Sequence, residues 1–190
     1  KLNGRELARS VGCQVPEVYW VGRRASQIPW DRIPPEFVLK PLWGGGSEGV
    51  FVVSEGREQL KNVPMSRGEL LRKLGPYRWP IRWIPLVVEE HVRRPDGSYG
   101  FVTEFRFHVF RDVIAAITCA NESKQLGCYT ADWEPLEQSL LVGHSLGEVA
   151  RPSGLEDMRD IVLRIGGAYG DYCRVDLFLT DRGIVFNEFA

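Results

Sequence analysis

Seven short runs of β-branched and aromatic residues, each bounded by glycine, proline or aspartate, most constrain how this chain folds. Such runs are typical of strands. Tight turns such as Arg111-Asp112 join them without the crossover helices that parallel strands require. The sequence therefore predicts an α+β fold dominated by antiparallel sheet. The predicted strands are Glu36–Lys40, Gly49–Val53, Pro85–Val92, Phe101–Phe110, Val113–Thr118, Tyr172–Leu179 and Ile184–Phe189.

Three helices are indicated by their first residues and by their periodicity. A short amphipathic stretch that includes Asn3 predicts the first. Ser66 with Glu69, and Ser153 with Glu156, each fit a capping box, in which two side chains bond each other's backbone N–H groups. The third helix has the clearest apolar face, made by Leu155, Met158, Ile161, Val162 and Ile165.

Composition excludes several classes of protein. The 24 basic and 25 acidic residues nearly balance, so the charge gives no reason to expect nucleic acid or an anionic membrane as a partner. No apolar run approaches the ~20 residues that span a bilayer, which argues against membrane insertion. The four cysteines lack zinc-site spacing, and we expect reduced thiols in a cytoplasmic protein, with Cys119 and Cys173 in buried strands.

A glycine-rich loop follows the first predicted strand. Its glycines satisfy G-x-G-x-x-G, but a strand follows instead of the helix that a dinucleotide-binding loop opens. A strand–loop–strand hairpin of this kind can fold over nucleotide phosphates, and Lys40 would add a cation there. The alternatives are a flexible connection without a ligand or a kinase-like loop. The loop residues concerned are Gly44, Gly45, Gly46 and Ser47.

The last two predicted strands bring two acids together. A three-residue loop, Asp181-Arg182-Gly183, would pair Thr180 with Ile184 and therefore set Asp176 opposite Glu188. Opposed carboxylates repel unless a cation lies between them, and Mg²⁺ prefers such oxygen ligands. The alternative is a solvent-facing pair held apart by Arg174, and a register shift of one residue would separate the two acids.

Strict alternation in residues 103–109 places Glu104, Arg106 and His108 on one face of a strand. Such a stripe is either a solvated outer face or one wall of a cleft. Without shared spacing among them, the three histidines are expected to be ordinary polar residues.

Together these segments resemble the ATP-grasp superfamily, and within it the branch named for teichuronopeptide biosynthesis (TupA-like). The resemblance runs through nearly the whole chain in order. It rests on Lys1 before the first helix, Val15-Pro16-Glu17-Val18, Phe37–Pro41 with the glycine loop, Val87–Glu90, Glu104–Phe110 and the segment from Arg174 to Glu188.

The resemblance implies a role for each matching position. Lys1 and Lys40 would hold the α- and β-phosphates, and Gly44, Gly45, Gly46 and Ser47 would cover the phosphates. Glu89 would accept from the adenine amino group, beside Glu90 and the backbone of His91 and Val92, and Glu104 would bind the ribose. Arg106 and Arg174 would face the transferred phosphoryl group, and Asp176 and Glu188 would ligate Mg²⁺.

The resemblance also implies an architecture and an activity. Two α+β lobes, residues 1–92 and 93–190, would grip ATP between mainly antiparallel sheets, with 54–83 as an inserted segment or lid. The enzyme would be a Mg·ATP-dependent ligase that activates an unknown carboxylate as an acyl phosphate for an amine or similar nucleophile, in cell-surface polysaccharide or related biosynthesis.

Two alternatives stay open. Ala190 stands where the family usually has a third polar residue of the metal site, which motivates the alternative of a catalytically silent nucleotide-binding module. The other alternative is a phosphotransferase that uses the same glycine-rich loop. Since the sequence begins at Lys1 and ends directly after a strand-like run, we expect it to be an excerpt of a longer chain.

Overall fold

The structure is a computed structural model that describes residues 2–43, 49–74, 84–100, 102–120, 125–137 and 147–190. Within these residues it contains three α-helices and two sheets whose strand pairs are antiparallel, so the predicted α+β class is confirmed. The chain divides into two compact units. The smaller is Pro16–Val92, and the larger combines the first fifteen residues with Arg93–Ala190.

The first helix, α1 (Leu2–Ser10), lies in the larger unit, whereas the sequence placed residues 1–92 in one lobe. Ala8 is fully buried in the core of the larger unit. Gly4 lies so close to Phe189 that a Cβ at this position would be 2.4 Å from the ring. Packing against the far end of the chain therefore decides where α1 belongs, and local sequence carries no signal of it.

The smaller unit is built on a six-stranded sheet with the order β1-β6-β2-β3-β4-β5. One face carries an apolar core in which Leu70 packs with Phe37 and Leu39. The strands are β1 (Val18–Gly22), β2 (Phe37–Pro41), β3 (Phe51–Ser54), β4 (Arg57–Glu58), β5 (Val63–Pro64) and β6 (Leu86–Glu90).

Helix α2 (Arg67–Leu74) starts at the predicted capping box. The Ser66 N–H donates to Oε2 of Glu69 at 2.8 Å, and the Glu69 N–H donates to Oγ of Ser66 at 3.2 Å. In its described part, the segment 54–83 carries β4 and β5, which extend the sheet from β3. Its prediction as an inserted segment or lid stays a prediction. Residues 75–83 lie outside the described residues.

The larger unit is built on a five-stranded sheet with the order β11-β10-β7-β8-β9. Helices α1 and α3 (Leu155–Tyr169) pack on one face and bury the apolar core there. The strands are β7 (Glu104–Phe110), β8 (Val113–Ala120), β9 (Leu126–Tyr129), β10 (Tyr172–Thr180) and β11 (Gly183–Phe189).

Helix α3 has the predicted apolar face but not the predicted cap. Leu155, Met158, Val162 and Ile165 are fully buried in the core, and Ile161 is partly buried against it. The N-cap is Gly154, which offers no side chain, and Glu156 pairs with Arg151 instead of closing a capping box with Ser153. The ion pair with Arg151 therefore uses the glutamate side chain that a capping box requires.

The hairpin of β10 and β11 reaches the predicted acid pairing by a different register. Thr180 pairs with Gly183 instead of Ile184, which by itself would shift every later pair by one residue. A β-bulge between Asp176 and Leu177 then places Asn187 as an extra residue in β11 and restores Asp176 opposite Glu188.

All four cysteines are buried and free, and Cys119 and Cys173 lie in strands as predicted. Burial raises the pKa of Cys13 to about 11 and that of Cys119 to about 12. Among the described residues, no helix combines the length and apolar character needed to cross a membrane.

Candidate functional site

One face of the larger sheet, here called the polar face, is defined by Glu104, Arg106 and His108 of β7. These side chains are half-buried, whereas residues 105, 107 and 109 are buried in the core on the opposite face. The predicted alternation is therefore confirmed. It sets the polar residues about 7 Å apart along the strand, since each residue advances it by about 3.4 Å.

The predicted acid pair lies on this face beside Arg106. Asp176 is opposite Arg106 of β7 on one side and opposite Glu188 of β11 on the other. Its side chain is 1% exposed, and that of Glu188 is 23% exposed. The pair is therefore not the solvent-facing one considered as the alternative.

Arg174 bonds directly to the acid pair. Its Nε lies 2.7 Å from Oδ1 of Asp176, and its Nη2 lies 2.6 Å from Oδ2. The same Nη2 lies 3.9 Å from Oε1 of Glu188. One guanidinium therefore offsets the repulsion between two buried or half-buried carboxylates, and this part of the alternative interpretation agrees with the structure.

Glu104 is held by two neighbours. Nε of Arg106 donates to Oε2 of Glu104 at 2.6 Å, and Nδ2 of Asn187 donates to Oε1 at 2.5 Å. Asn187 is a residue of this site that the sequence analysis did not single out. It reaches the polar face beside Glu188 because the bulge interrupts the alternation of β11.

Burial dominates the electrostatics of the site. It raises the pKa of Asp176 to about 6 against the hydrogen bond from Arg174, and the charges of Glu104 and Glu188 act in the same direction as burial. The hydrogen bond to Asp176 raises the pKa of Arg174. Burial lowers the pKa of His108, and so do the charges of Arg174 and Arg106, so this imidazole is neutral near pH 7.

The acid pair fits a magnesium ion. Asp176 and Glu188 offer hard carboxylate oxygens, and burial raises the pKa of Asp176 although Arg174 donates to it. No group of three or more His, Cys, Asp or Glu ligands occurs in the described part of the chain. Two carboxylates suffice for Mg²⁺ bound together with a nucleotide, because phosphates and water supply its remaining ligands.

In the smaller unit, Lys40 and Glu89 form a buried ion pair. Nζ of Lys40 lies 2.9 Å from Oε1 of Glu89, and the side chains are 8% and 3% exposed. Glu89 is opposite Val38 in the antiparallel pair of β2 and β6, so Lys40 and Glu89 lie on the same face. The sequence assigned them to different parts of a nucleotide, and the structure joins them directly.

The neighbouring candidates lie at the end of β6. Glu90 accepts from the Glu17 N–H at 3.0 Å through Oε2, and its own N–H donates to the Glu17 carbonyl at 2.9 Å. The Glu90 carboxylate is therefore bonded to the backbone of Glu17. His91 and Val92 follow directly and are buried, with 6% and 8% exposure.

The remaining candidates lie outside the described residues. They are Lys1, Gly44, Gly45, Gly46 and Ser47. Their proposed contacts with phosphate stay predictions. The structure thus brings Glu104, Arg106, Arg174, Asp176 and Glu188 together on one sheet and Lys40 with Glu89 on the other.

Comparisons with solved structures identify the fold. The D-alanine–D-alanine ligase of Bacillus anthracis, complexed with ATP, matches with a TM-score of 0.58 at 17% identity, over 100% of this chain and 51% of that chain. N5-carboxyaminoimidazole ribonucleotide synthetase (purK), in its ADP complex, matches with 0.59 at 14%, over 100% and 43%. The ATP-grasp ligase PsnB, complexed with a minimal precursor, Mg and ADP, matches with 0.54 at 14%, over 98% and 47%.

A family model described as TupA-like ATPgrasp matches residues 7–190. No curated protein is similar enough in sequence to match the chain. The chain spans about half the length of the solved structures compared here.

Proposed function

Because the chain belongs to the TupA-like ATP-grasp family, we propose that it is the ATP-binding part of a Mg²⁺-dependent ligase that activates a carboxylate. The observation that carries this proposal is the buried Asp176 opposite Glu188, with Arg106 and Arg174 on the same face. Phosphoryl transfer uses carboxylates that hold a metal ion, together with cations that contact the phosphates.

The proposed reaction has two steps. A substrate carboxylate oxygen attacks the γ-phosphorus of ATP, the bond from that phosphorus to the β,γ-bridging oxygen breaks, and an acyl phosphate and ADP form. An amine or similar nucleophile then attacks the acyl carbon, the carbon–oxygen bond to the phosphate breaks, and inorganic phosphate and a proton leave.

Residues of the polar face bind and orient the groups that react. Asp176 and Glu188 would hold Mg²⁺, which supplies positive charge to the phosphates and orients them. Arg106 and Arg174 would contact the transferred phosphoryl group, since fixed cations stabilise the charge that spreads over its oxygens. Glu104, fixed by Arg106 and Asn187, would accept from the ribose hydroxyls.

The smaller unit would supply the rest of the nucleotide contacts. Lys40 would hold phosphate, and Glu89 would accept from the adenine amino group beside Glu90 and the backbone of His91 and Val92. The burial of Lys40 and Glu89 supports this assignment, because charges in a poorly hydrated place act more strongly on a ligand than exposed charges do. Lys1 and the loop residues Gly44–Ser47 complete the proposed site.

The proposal extends to the cellular setting. From the resemblance to the branch named for teichuronopeptide biosynthesis, the proposed setting is cell-surface polysaccharide or related biosynthesis, with an unknown acid and nucleophile as substrates. Four free thiols support a reducing compartment such as the cytoplasm.

A silent nucleotide-binding module is the second candidate, and one observation favours it. Ala190 pairs with Arg174 through both backbone groups, at 2.9 and 3.1 Å, next to the acid pair. Its methyl group adds no ligand there. In addition, Arg174 bonds to both oxygens of Asp176, so a metal must share or replace that contact.

Calorimetric titration of ATP with and without Mg²⁺, followed by ADP release with a panel of acids and amines, tests the proposal. We expect Mg²⁺-dependent binding and acid-dependent ADP release, both reduced at least about a hundredfold by Asp176→Asn. Asp112→Asn, an exposed change in the β7–β8 turn, is the matched control. Binding without turnover supports the silent module, and normal turnover by Asp176→Asn removes this residue from the site.

A further inference from the structure

The polar face ends in an exposed apolar row that the proposed ATP site does not use. Phe110, Val113 and Tyr172 lie opposite one another at one end of β7, β8 and β10. They are 51%, 58% and 51% exposed, although their strands are the three inner strands of the five-stranded sheet. We define these three residues as the apolar row.

Contacts show that the apolar row lies on the polar face. Tyr172 Oη lies 2.9 Å from Nδ1 of His108, and the two rings stack with centroids 6.3 Å apart. Phe110 follows His108 by two residues in the same strand, so their side chains share a face. Tyr172 and Val113 share it in turn, since each is the direct cross-strand partner of Phe110.

The side chains on the polar face change from charged to apolar along β7, and each step is one pair of residues along the strand. Glu104 is bonded to Asn187, and the next step, at Arg106, is flanked by Asp176. At the third step His108 lies opposite Arg174 and bonds to Tyr172, and the apolar row follows. Each step is about 7 Å, so the apolar row lies two steps, or about 14 Å, from the Arg106–Asp176 pair.

On the premise of the proposed function, this order of residues fixes the direction in which the nucleotide lies along the polar face. With the ribose at Glu104 and the metal at Asp176 and Glu188, the phosphates run from the first step toward the second. The terminal phosphoryl group then points toward His108 and Arg174. A nucleophile that displaces ADP approaches from the side opposite the leaving oxygen, so the substrate carboxylate lies at the His108 step.

We propose that Phe110, Val113 and Tyr172 bind the body of the carboxylic acid substrate, and that this acid has an aromatic or aliphatic body. Its carboxylate faces Arg174 and Arg106, and its body covers the apolar row. A polar body such as that of a dicarboxylic acid gains nothing from Phe110 and Val113, because the hydrophobic contribution scales with the apolar area removed from water.

Ligand-observed NMR tests this subsite without relying on turnover. The probes are phenylacetate and acetate, added to the protein with Mg²⁺ and a non-hydrolysable ATP analogue. We expect phenylacetate to bind about tenfold more tightly than acetate, and the double variant Phe110→Ser/Val113→Ser to abolish that difference. Val21→Ser, an exposed valine of the smaller unit, is the control that changes neither affinity.

The outcomes separate this proposal from the proposed function. Phenylacetate that binds at the row while no acid of the panel drives ADP release supports the subsite and contradicts the ligase reaction. Acids with polar bodies that drive ADP release while phenylacetate does not overturn the subsite and leave the ligase. Equal affinity for both probes, or a difference that survives the double variant, overturns the subsite. The subsite is also overturned if sedimentation shows a dimer that the double variant dissociates, because a second copy then covers the row.

Tyr172→Phe keeps the ring and the fold and should retain at least half of the affinity for phenylacetate.

Discussion

Asp176 lies opposite Glu188 because Asn187 occupies an extra position in β11. The same extra position lets the Asn187 amide reach Glu104 on β7, two strands away. A single bulge therefore sets both the acid pairing and a side-chain bond that joins β11 to β7.

We expect Asn187→Ala to lower the free energy of unfolding by about 2 kcal/mol, because a half-buried carboxylate loses a charge-assisted hydrogen bond. Urea denaturation followed by tryptophan fluorescence measures this change. Asn3→Ala, at an exposed position of α1, should alter stability by less than about 0.5 kcal/mol. Equal effects of the two substitutions would show that the bond to Glu104 contributes nothing.

Removal of the guanidinium of Arg174 should be more costly. Arg174→Ala leaves Asp176 buried without its bonded cation and should lower the free energy of unfolding by about 3 kcal/mol at pH 7.5. Adding Asp176→Asn to that variant should restore most of the loss, because the uncompensated charge disappears. Arg159→Ala breaks an exposed pair with Asp132 and should cost less than about 1 kcal/mol. The absence of a rescue would contradict the arrangement in which Arg174 compensates Asp176.

The buried pair in the smaller unit predicts both a stability and a binding effect. Lys40→Met should destabilise the protein by about 3 kcal/mol, since Glu89 is left as a buried charge, whereas Lys40→Met/Glu89→Leu should recover much of that loss. Both variants should bind ATP at least about tenfold more weakly, because the cation proposed to hold phosphate is gone. Denaturation and calorimetric titration measure the two effects separately. A double variant with unchanged ATP affinity would exclude Lys40 from the site.

Two adjacent glycines in α3 should respond in opposite directions. A Cβ at Gly166 would lie 2.3 Å from the Arg111 carbonyl oxygen and 2.6 Å from Val109, whereas Gly167 has nothing within 4 Å. We expect Gly166→Ala to destabilise by about 3 kcal/mol through overpacking. Gly167→Ala should stabilise by about 0.5–1 kcal/mol, because alanine favours the helix. Thermal unfolding of the two variants checks the predicted signs, and a shared sign would contradict the contact.

The thiols should be unreactive in the native protein at pH 8. Burial raises the pKa of Cys13 to about 11 and of Cys119 to about 12, so almost none of either is present as the reactive thiolate. Ellman's reagent should titrate no thiol quickly in buffer and all four in denaturant. The native rate should rise as the pH approaches 11, because raised thiol pKa values move thiolate formation to that range. Rapid reaction of one thiol at pH 8 would contradict its burial.

Local signals in the sequence predicted local structure well. The capping box at Ser66 and the alternation of β7 depend on neighbours a few residues apart, and the structure confirms both. The strands β1, β4, β5 and β9 were not predicted. Two of these, β4 and β5, have two residues each, too few to show a period, and depend on pairing with a strand already present.

Features that depend on residues far apart in the sequence were harder to predict. The loop register was wrong by one residue, and the bulge that compensates for it has no signature in the sequence of β11. The prediction of Asp176 opposite Glu188 thus agrees with the structure although its geometric argument does not. The pairing of Lys40 with Glu89 also follows from the adjacency of β2 and β6, which are separated by more than forty residues.

The smaller unit begins and ends at one place in its own sheet. Glu17 and Glu90 exchange backbone and side-chain hydrogen bonds, and Val18 pairs directly with Glu89. The two ends of the segment 16–92 are therefore neighbours in space, so the chain leaves the larger unit and returns to it at adjacent points. Excising it and joining Val15 to Arg93 through a few glycines should leave the larger sheet and its acid pair with all of their own strands. By this topology, the unit that carries the acid pair is separable from the unit that carries Lys40.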